Sequence, residues 1–289
     1  SHPHSILDSE GRIIGALVGR PSHPGWEDAK RDACDALRHI RLESEAGGCF
    51  GPDDLDHRRG RFLALPVGIS YGGGQMVCFP CSYPILVSSA FYFTHDYLCI
   101  PFPPYSEAFF SFAPKAYRDV QATMRALQQH HPALRLNFPN SIYAAISLNC
   151  GPDTTCLEHL DSGNAPHSFC AVTALGEFDP DKGGHLVLFD LRMIIRFPPG
   201  STILLLSAVL AHGNTPIALG DVRYSMTQYF SGGLARWVAY GFRPVKSLGP
   251  AKQVKMIHEK VDGQPGERWR EKLGLLSTMS SLKGDYSTS

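Results

Sequence analysis

His159 and Asp161 stand two residues apart in the run HLDSGN, residues 159–164. In an extended segment, residues i and i+2 share one side, so this imidazole and this carboxylate can reach one ion. A third donor must come from elsewhere, and His212 in AVLAHGN is the candidate. It lies at the end of what reads as an apolar strand hairpin turned by PPG. Two imidazoles and one carboxylate on one face leave three octahedral positions open, which suits Fe(II). The same donors also suit zinc. Arg223 and Ser225, in the β-like run VRYSMTQYF, separate the two metals. On one side of a strand, a guanidinium and a hydroxyl can clamp the far carboxylate of a dicarboxylic acid, the Arg as a bidentate fork. A zinc hydrolase has no use for that clamp. An oxygenase that takes 2-oxoglutarate needs one.

Other chemistry-bearing residues read as structural. His185 opens the apolar run HLVLF and has no partner two residues away. His130 and His131 close a helix, where cations suit the dipole. His57 sits in HRRGR, a solvated basic turn. Cys78 and Cys81 have metal or redox spacing without a second pair. The triple glycine at 72–74 lacks the Lys-Ser/Thr helix start of a phosphate loop.

These residues need a scaffold, and 289 residues at 43% hydrophobic and 19% charged can supply one large core. Net charge is zero, with 27 basic and 27 acidic residues. That argues against a strong non-specific grip on nucleic acid by the whole molecule. Eight cysteines without secretory spacing read as thiols in a reducing compartment, and the chain is expected not to be secreted. Residues 1–10 read as a frayed lead-in and 11–19 as a strand. Residues 25–46 read as a helix, with Ala29, Ala33, Ala36, Leu37 and Ile40 at helical spacing. Residues 62–75 read as a strand and glycine loop, and 114–134 as a helix stopped near Pro132. Residues 76–95 carry no Asp, Glu, Lys or Arg. Two prolines and the absence of flanking charge argue against a membrane span. From 139 onward, short β-rich segments punctuated by Gly, Pro, Asn and Asp suggest a sandwich or jelly roll. Two polar helices are expected after Trp237.

The runs HLDSGN, GEFDPDKGGHLVLFDL, FPPGSTILLLSAVLAHGN, RYSMTQYFSGGLARWV and ERWREKLGLLSTMSSL resemble the TET/JBP family of 2-oxoglutarate- and Fe(II)-dependent dioxygenases. The likeness is to the set expanded in mushroom-forming basidiomycete fungi and linked to Kyakuja–Dileera–Zisupton transposons. It runs from about residue 11 to 282. It implies an α+β fold: a double-stranded β-helix (jelly roll, cupin-like) flanked by N- and C-terminal helices. One domain over 11–282 is expected, with support at 11–135, the β core at 137–243 and a helical extension at 244–282. The implied cofactors are Fe(II) on His159, Asp161 and His212, with O2 and the cosubstrate 2-oxoglutarate on Arg223 and Ser225. The implied reaction oxidises a methyl group on a nucleic-acid base, above all 5-methylcytosine. Asn164 and Tyr229 fall on the family's base-contacting positions. Ser231 falls where TET enzymes carry a His, so the identity of the base carries over poorly.

The resemblance also implies a nuclear location and a nucleic-acid partner, DNA in preference to RNA, for a monomer that binds no membrane. Residues 243–272 carry eight Lys/Arg against four Asp/Glu, a local excess that suits phosphates. Two rival readings stay open: an oxygenase of small molecules or free nucleosides, and an inactive transposon-derived nucleic-acid-binding module. The family carries a charged stretch where this chain has the apolar residues 76–104. The hypothesis that follows is a translated, unspliced intron, since Val77-Cys78 can be encoded by GTATGT. Presence of the segment in the main transcript of the source organism would refute it.

Overall fold

The computed structural model describes residues 3–48, 55–72, 75–77, 105–134, 136–138, 141–243, 249–263 and 267–287. Cys78-x-x-Cys81, all but the first two residues of the uncharged run, and nearly all of the intron-like segment lie outside them. The strands are β1 (His4–Leu7), β2 (Ile13–Gly19), β3 (Asp56–His57), β4 (Gly60–Arg61), β5 (Ala64–Gly68), β6 (Ser70–Gly72) and β7 (Gln75–Val77). After them come β8 (Ala145–Asn149), β9 (Cys170–Glu177), β10 (Leu186–Leu188), β11 (Met193–Ile195), β12 (Thr202–Leu205), β13 (His212–Asn214) and β14 (Val222–Tyr229). The helices are α1 (Trp26–Ala46), α2 (Tyr105–Phe112), α3 (Pro114–His130), α4 (Gly232–Ala239), α5 (Ala251–Asp262), α6 (Glu267–Leu273) and α7 (Leu282–Asp285).

Seven strands form one antiparallel sheet in the order β1-β2-β12-β9-β14-β8-β5, and three form a smaller sheet, β11-β10-β13. Strand β8 is buried along its whole length and so is β12. Burial on both faces explains why ISL and ILLL read as continuous apolar runs without polar alternation. One face of the large sheet carries helices. The small residues Ala29 and Ala33, with Leu37 and Ile40, form the buried stripe of α1, and Cys34 on the same helix accepts the N–H of Gly176 in β9 at 3.2 Å. Phe109 of α2 stacks near Tyr143 and Phe169, with centroids 6.3 and 5.2 Å away. The other face looks across a narrow cavity at the small sheet. Asn149, Val172, Arg223 and Ser225 line it from one side and Leu186, His212 and Asn214 from the other.

Helices α1 and α3 lie where the periodicity predicts them; α2 and α4 were not foreseen. Two expectations are corrected. Residues 4–7 are not frayed: β1 pairs with β2, placing His4 opposite Leu17 and Ile6 opposite Gly15. The strand is only four residues long, with Ile6 and Leu7 as its apolar residues, too short a pattern to read. The PPG segment does not turn a hairpin either. Strand β11 pairs with β10 in the small sheet, whereas β12 pairs with β2 and β9 in the large one. The segment is a crossover between sheets, pinned where the Gly200 N–H donates to Ala174 O at 2.7 Å.

The C-terminal helix α6 is tied down by one carboxylate. Asp119 of α3 accepts from Lys272 Nζ at 2.7 Å through Oδ1, and its Oδ2 lies 2.7 Å from His167 Nε2. Burial pushes the Asp119 carboxyl up, but the His167 and Lys272 hydrogen bonds outweigh it and hold the pKa down at about 2. A depressed carboxylate stabilises the fold above its ordinary value near 3.8, and that contribution is lost as pH falls toward 2. Asp119→Asn is expected to lower stability at pH 7 by about 1–2 kcal/mol and to narrow the gap from wild type as pH drops through this window. Urea melts of both proteins at pH 7 and pH 2.5 check it. An equal gap at both pH values would refute the linkage.

Candidate metal centre

His159 and His212 face each other across a two-residue antiparallel bridge. Each N–H donates to the other's carbonyl, both at 3.0 Å. Residues so paired project on the same face, and the ring centroids stand 4.3 Å apart. The chain stays extended to Asp161, whose N–H donates to Ser207 O at 2.9 Å. Asp161 therefore turns to the side His159 occupies. Its Oδ1 lies 3.8 Å from His159 Nε2 and its Oδ2 lies 3.7 Å from His212 Nε2. The three donor atoms all fall within 4.8 Å of one another. No other such cluster occurs among the described residues.

Both imidazoles are held in one tautomer. His159 Nδ1 lies 2.7 Å from Leu157 O, and His212 Nδ1 lies 2.9 Å from Leu210 O. A carbonyl can only accept, so each Nδ1 carries the proton and each Nε2 presents its lone pair to the cluster. Burial, with His212 beside it, pushes His159 down to about 4. The ring is thus neutral at physiological pH, as a metal ligand must be. The donor set fits a divalent cation. Gly213, between His212 and Asn214, is required by crowding: a Cβ there would lie 2.6 Å from Cys156 O.

Arg223, Ser225 and Thr227 alternate along β14 and line the same cavity as His159, Asp161 and His212, a slot of about 30 Å³. Arg223 is 2% exposed. Its Nη1 donates to Thr154 O at 2.9 Å, and its guanidinium sits 5.8 Å from the Phe178 centroid. Among the described residues no carboxylate lies within ion-pair distance of it. Its Nε is buried and unpartnered, as are Thr154 Oγ1 and Asn149 Oδ1. Asn149 Nδ2 donates to Ser225 Oγ at 2.8 Å. Burial pulls the Arg223 pKa down, yet a guanidinium stays charged in proteins. A buried cation without a counter-charge costs several kcal/mol, so this site is built for an anion. The slot has room for about two waters; a five-carbon diacid needs side chains to move.

Two arginines of the basic turn HRRGR reach the site. The β3–β4 hairpin carries Arg58 and Arg59, and it keeps Arg58 and Arg61 exposed while reaching over the strand of His159. Arg58 Nη1 donates to Leu160 O at 2.8 Å, and its Nη2 lies 3.6 Å from Asp161 Oδ1. The Leu157 N–H donates to Arg59 O at 2.7 Å, and the Arg59 side chain lines the slot. The available signal was the density of cations in HRRGR, beside a glycine whose Cβ would lie 2.4 Å from Thr155 O.

The remaining expected site residues lie one layer away. The Asn164 N–H donates to Asp161 O at 2.9 Å, closing the DSGN turn. Its Nδ2 reaches Ser207 Oγ and Cys170 Sγ, each at 3.2 Å. Its other side lines a second cavity of about 580 Å³. Tyr229 ends β14, in the same alternation as Arg223 and Ser225, and burial lifts its phenol to about 12. Ser231 caps α4: its Oγ accepts from the Gly233 N–H at 3.2 Å. His185 lies outside the cluster, its Nδ1 3.4 Å from Thr215 Oγ1. No helix among the described residues is long and apolar enough to cross a membrane.

No family model matches the chain, and no curated protein does. Among solved structures it is similar to NgTET1 in complex with 5mC DNA, at 14% identity over 81% of this chain and 78% of that one, with a TM-score of 0.45. It is similar to a Pseudomonas putida prolyl-4-hydroxylase at 18% identity over 68% and 86%, with a TM-score of 0.31. It is also similar to the viral collagen prolyl hydroxylase of Paramecium Bursaria Chlorella virus-1 in its 2OG complex, at 14% over 38% and 69%, with a TM-score of 0.24. At these distances the likenesses describe neighbours, and the functional reading stands on the chain's own residues.

Proposed function

We propose that this chain is a 2-oxoglutarate- and Fe(II)-dependent dioxygenase that oxidises a methyl group on a nucleic-acid base, 5-methylcytosine first among candidates. One observation carries the reading: a buried guanidinium without a carboxylate partner among the described residues shares a slot with a His-Asp-His cluster. His159, Asp161 and His212 would hold the metal, which supplies oxygen activation when bound. The Leu157 and Leu210 carbonyls keep both imidazoles turned with Nε2 toward it. Arg223 and Ser225 would take the far carboxylate of oxoglutarate, and the buried walls keep water from the reacting atoms. The two sheets are read as the halves of a double-stranded β-helix within one domain over 11–282, with β1 adding a strand before that boundary. The chain is read as a monomer that meets DNA through local contacts, with Tyr229 and Ser231 beside the base. Mass spectrometry of bases tests this, after incubation with Fe(II), oxoglutarate and duplex DNA carrying 5-methylcytosine. Oxoglutarate decarboxylation with no oxidised base would leave the oxygenase reading and remove the substrate. Zero net charge favours a second reading, an oxygenase of free nucleosides or other small molecules, and nucleosides in the same assay separate the two.

Asn164 is proposed to contact the substrate, since its amide offers both a donor and an acceptor to a base edge. Asn164→Ala is then expected to keep substrate-independent oxoglutarate decarboxylation and lose most base oxidation. The bonds to Ser207 and Cys170 give the competing outcome a concrete form. Loss of both activities together, with a lower Tm, would remove Asn164 from the site.

A further inference from the structure

The 580 Å³ cavity is in the size range of small-molecule sites, and none of the metal or oxoglutarate residues lines it. It opens between α3, α4, α6 and the loop that follows Asp161. Only one acid lines it, Asp119, and both of its oxygens are taken by Lys272 and His167. Of the lining cations, Arg236 and Arg268 stand outside that Lys272–Asp119–His167 cluster. Arg236, in the last turn of α4, has no carboxylate within ion-pair distance among the described residues. Beside them Trp269 is 39% exposed, a large indole on a helix that has no fully buried residue. Ala165, Pro166 and Val238 supply apolar wall.

We propose that this cavity is a second ligand site, separate from the metal slot, for an organic phosphate that carries a planar ring. The two guanidiniums would take the phosphate oxygens. The indole would stack on the ring, and the apolar wall would cover its other face. The site uses none of the metal or oxoglutarate side chains; Asn164, proposed above to contact the substrate, is the one residue the two share.

The test is calorimetric titration of the full chain with phenyl phosphate, beside inorganic phosphate and phenol as its two halves. Phenyl phosphate is expected to bind more tightly than either half and to quench indole fluorescence, with the quench lost in Trp269→Phe. The Arg236→Gln/Arg268→Gln double variant is expected to weaken binding about tenfold or more. Ala239→Trp, which fills the cavity from an exposed position on α4, gives a second disruption that does not depend on the arginines. Adenosine monophosphate and a single-stranded trinucleotide in the same titration tell a free organic phosphate from a strand. Arginine-dependent binding of either supports the site. Three results would overturn it: no binding at millimolar phenyl phosphate, binding unchanged in both variants, or displacement by 2-oxoglutarate. The last would move the ligand to the slot containing Arg223.

Discussion

Asp161→Ala abolishes oxoglutarate decarboxylation, with activity expected to fall by more than about 100-fold. It removes the only carboxylate in the cluster, leaving two neutral imidazoles for a dication. The fold should survive. The Asp161 contact with Arg58 is 3.6 Å long, and the Arg58 side chain is 59% exposed, so the pair adds little stability. Thermal melts separate the two effects. With Fe(II), or Mn(II) under air, at 100 times its Kd, wild type should gain about 2.7 kcal/mol. The variant should gain nothing, and without metal the two should melt together. Normal oxoglutarate turnover by Asp161→Ala would sink the metal assignment.

Arg223→Lys is expected to raise the oxoglutarate requirement by about 10- to 100-fold while metal affinity stays near normal. Lysine keeps the charge and loses the planar two-point fork. It also surrenders the bond to Thr154 O, which leaves Thr154 with one polar partner fewer. Arg223→Met sharpens the test. Removing a buried cation that has no counter-charge among the described residues should leave stability equal or higher, while oxoglutarate binding is lost. A residue kept for structure alone would behave the opposite way. Unchanged oxoglutarate dependence in both variants would pass the role to another cation. Arg59 would be examined first because it lines the same slot, with Arg58 and Arg61 after it.

The local rules of the chain reach as far as one element. A period of two puts His159 beside Asp161 and Arg223 beside Ser225, so both pairs were legible before any fold was known. Helical spacing did the same for the buried stripe of α1, and Pro132 for the end of α3. His212 was found by residue type and by its place after an apolar run. What lay beyond reach was which elements face each other. Strand β1 is too short to declare itself until β2 pairs with it. The PPG crossover looks like a hairpin because a turn has the same composition whether the chain returns to the same sheet or passes to the next. Arg58 meets Leu160 across 102 residues of chain, and a basic turn has no local feature that says which surface it will cover. Nor could the 580 Å³ cavity be read in advance, since its walls come from α3, α4, α6 and the loop after Asp161. Residue type and spacing dictated which side chains share a face and what each can ligate or accept. Only tertiary packing decided that the faces of β13 and β14 converge on one slot. Strand order and sheet stacking are set by burial summed over the whole core, and no short window of residues contains that sum.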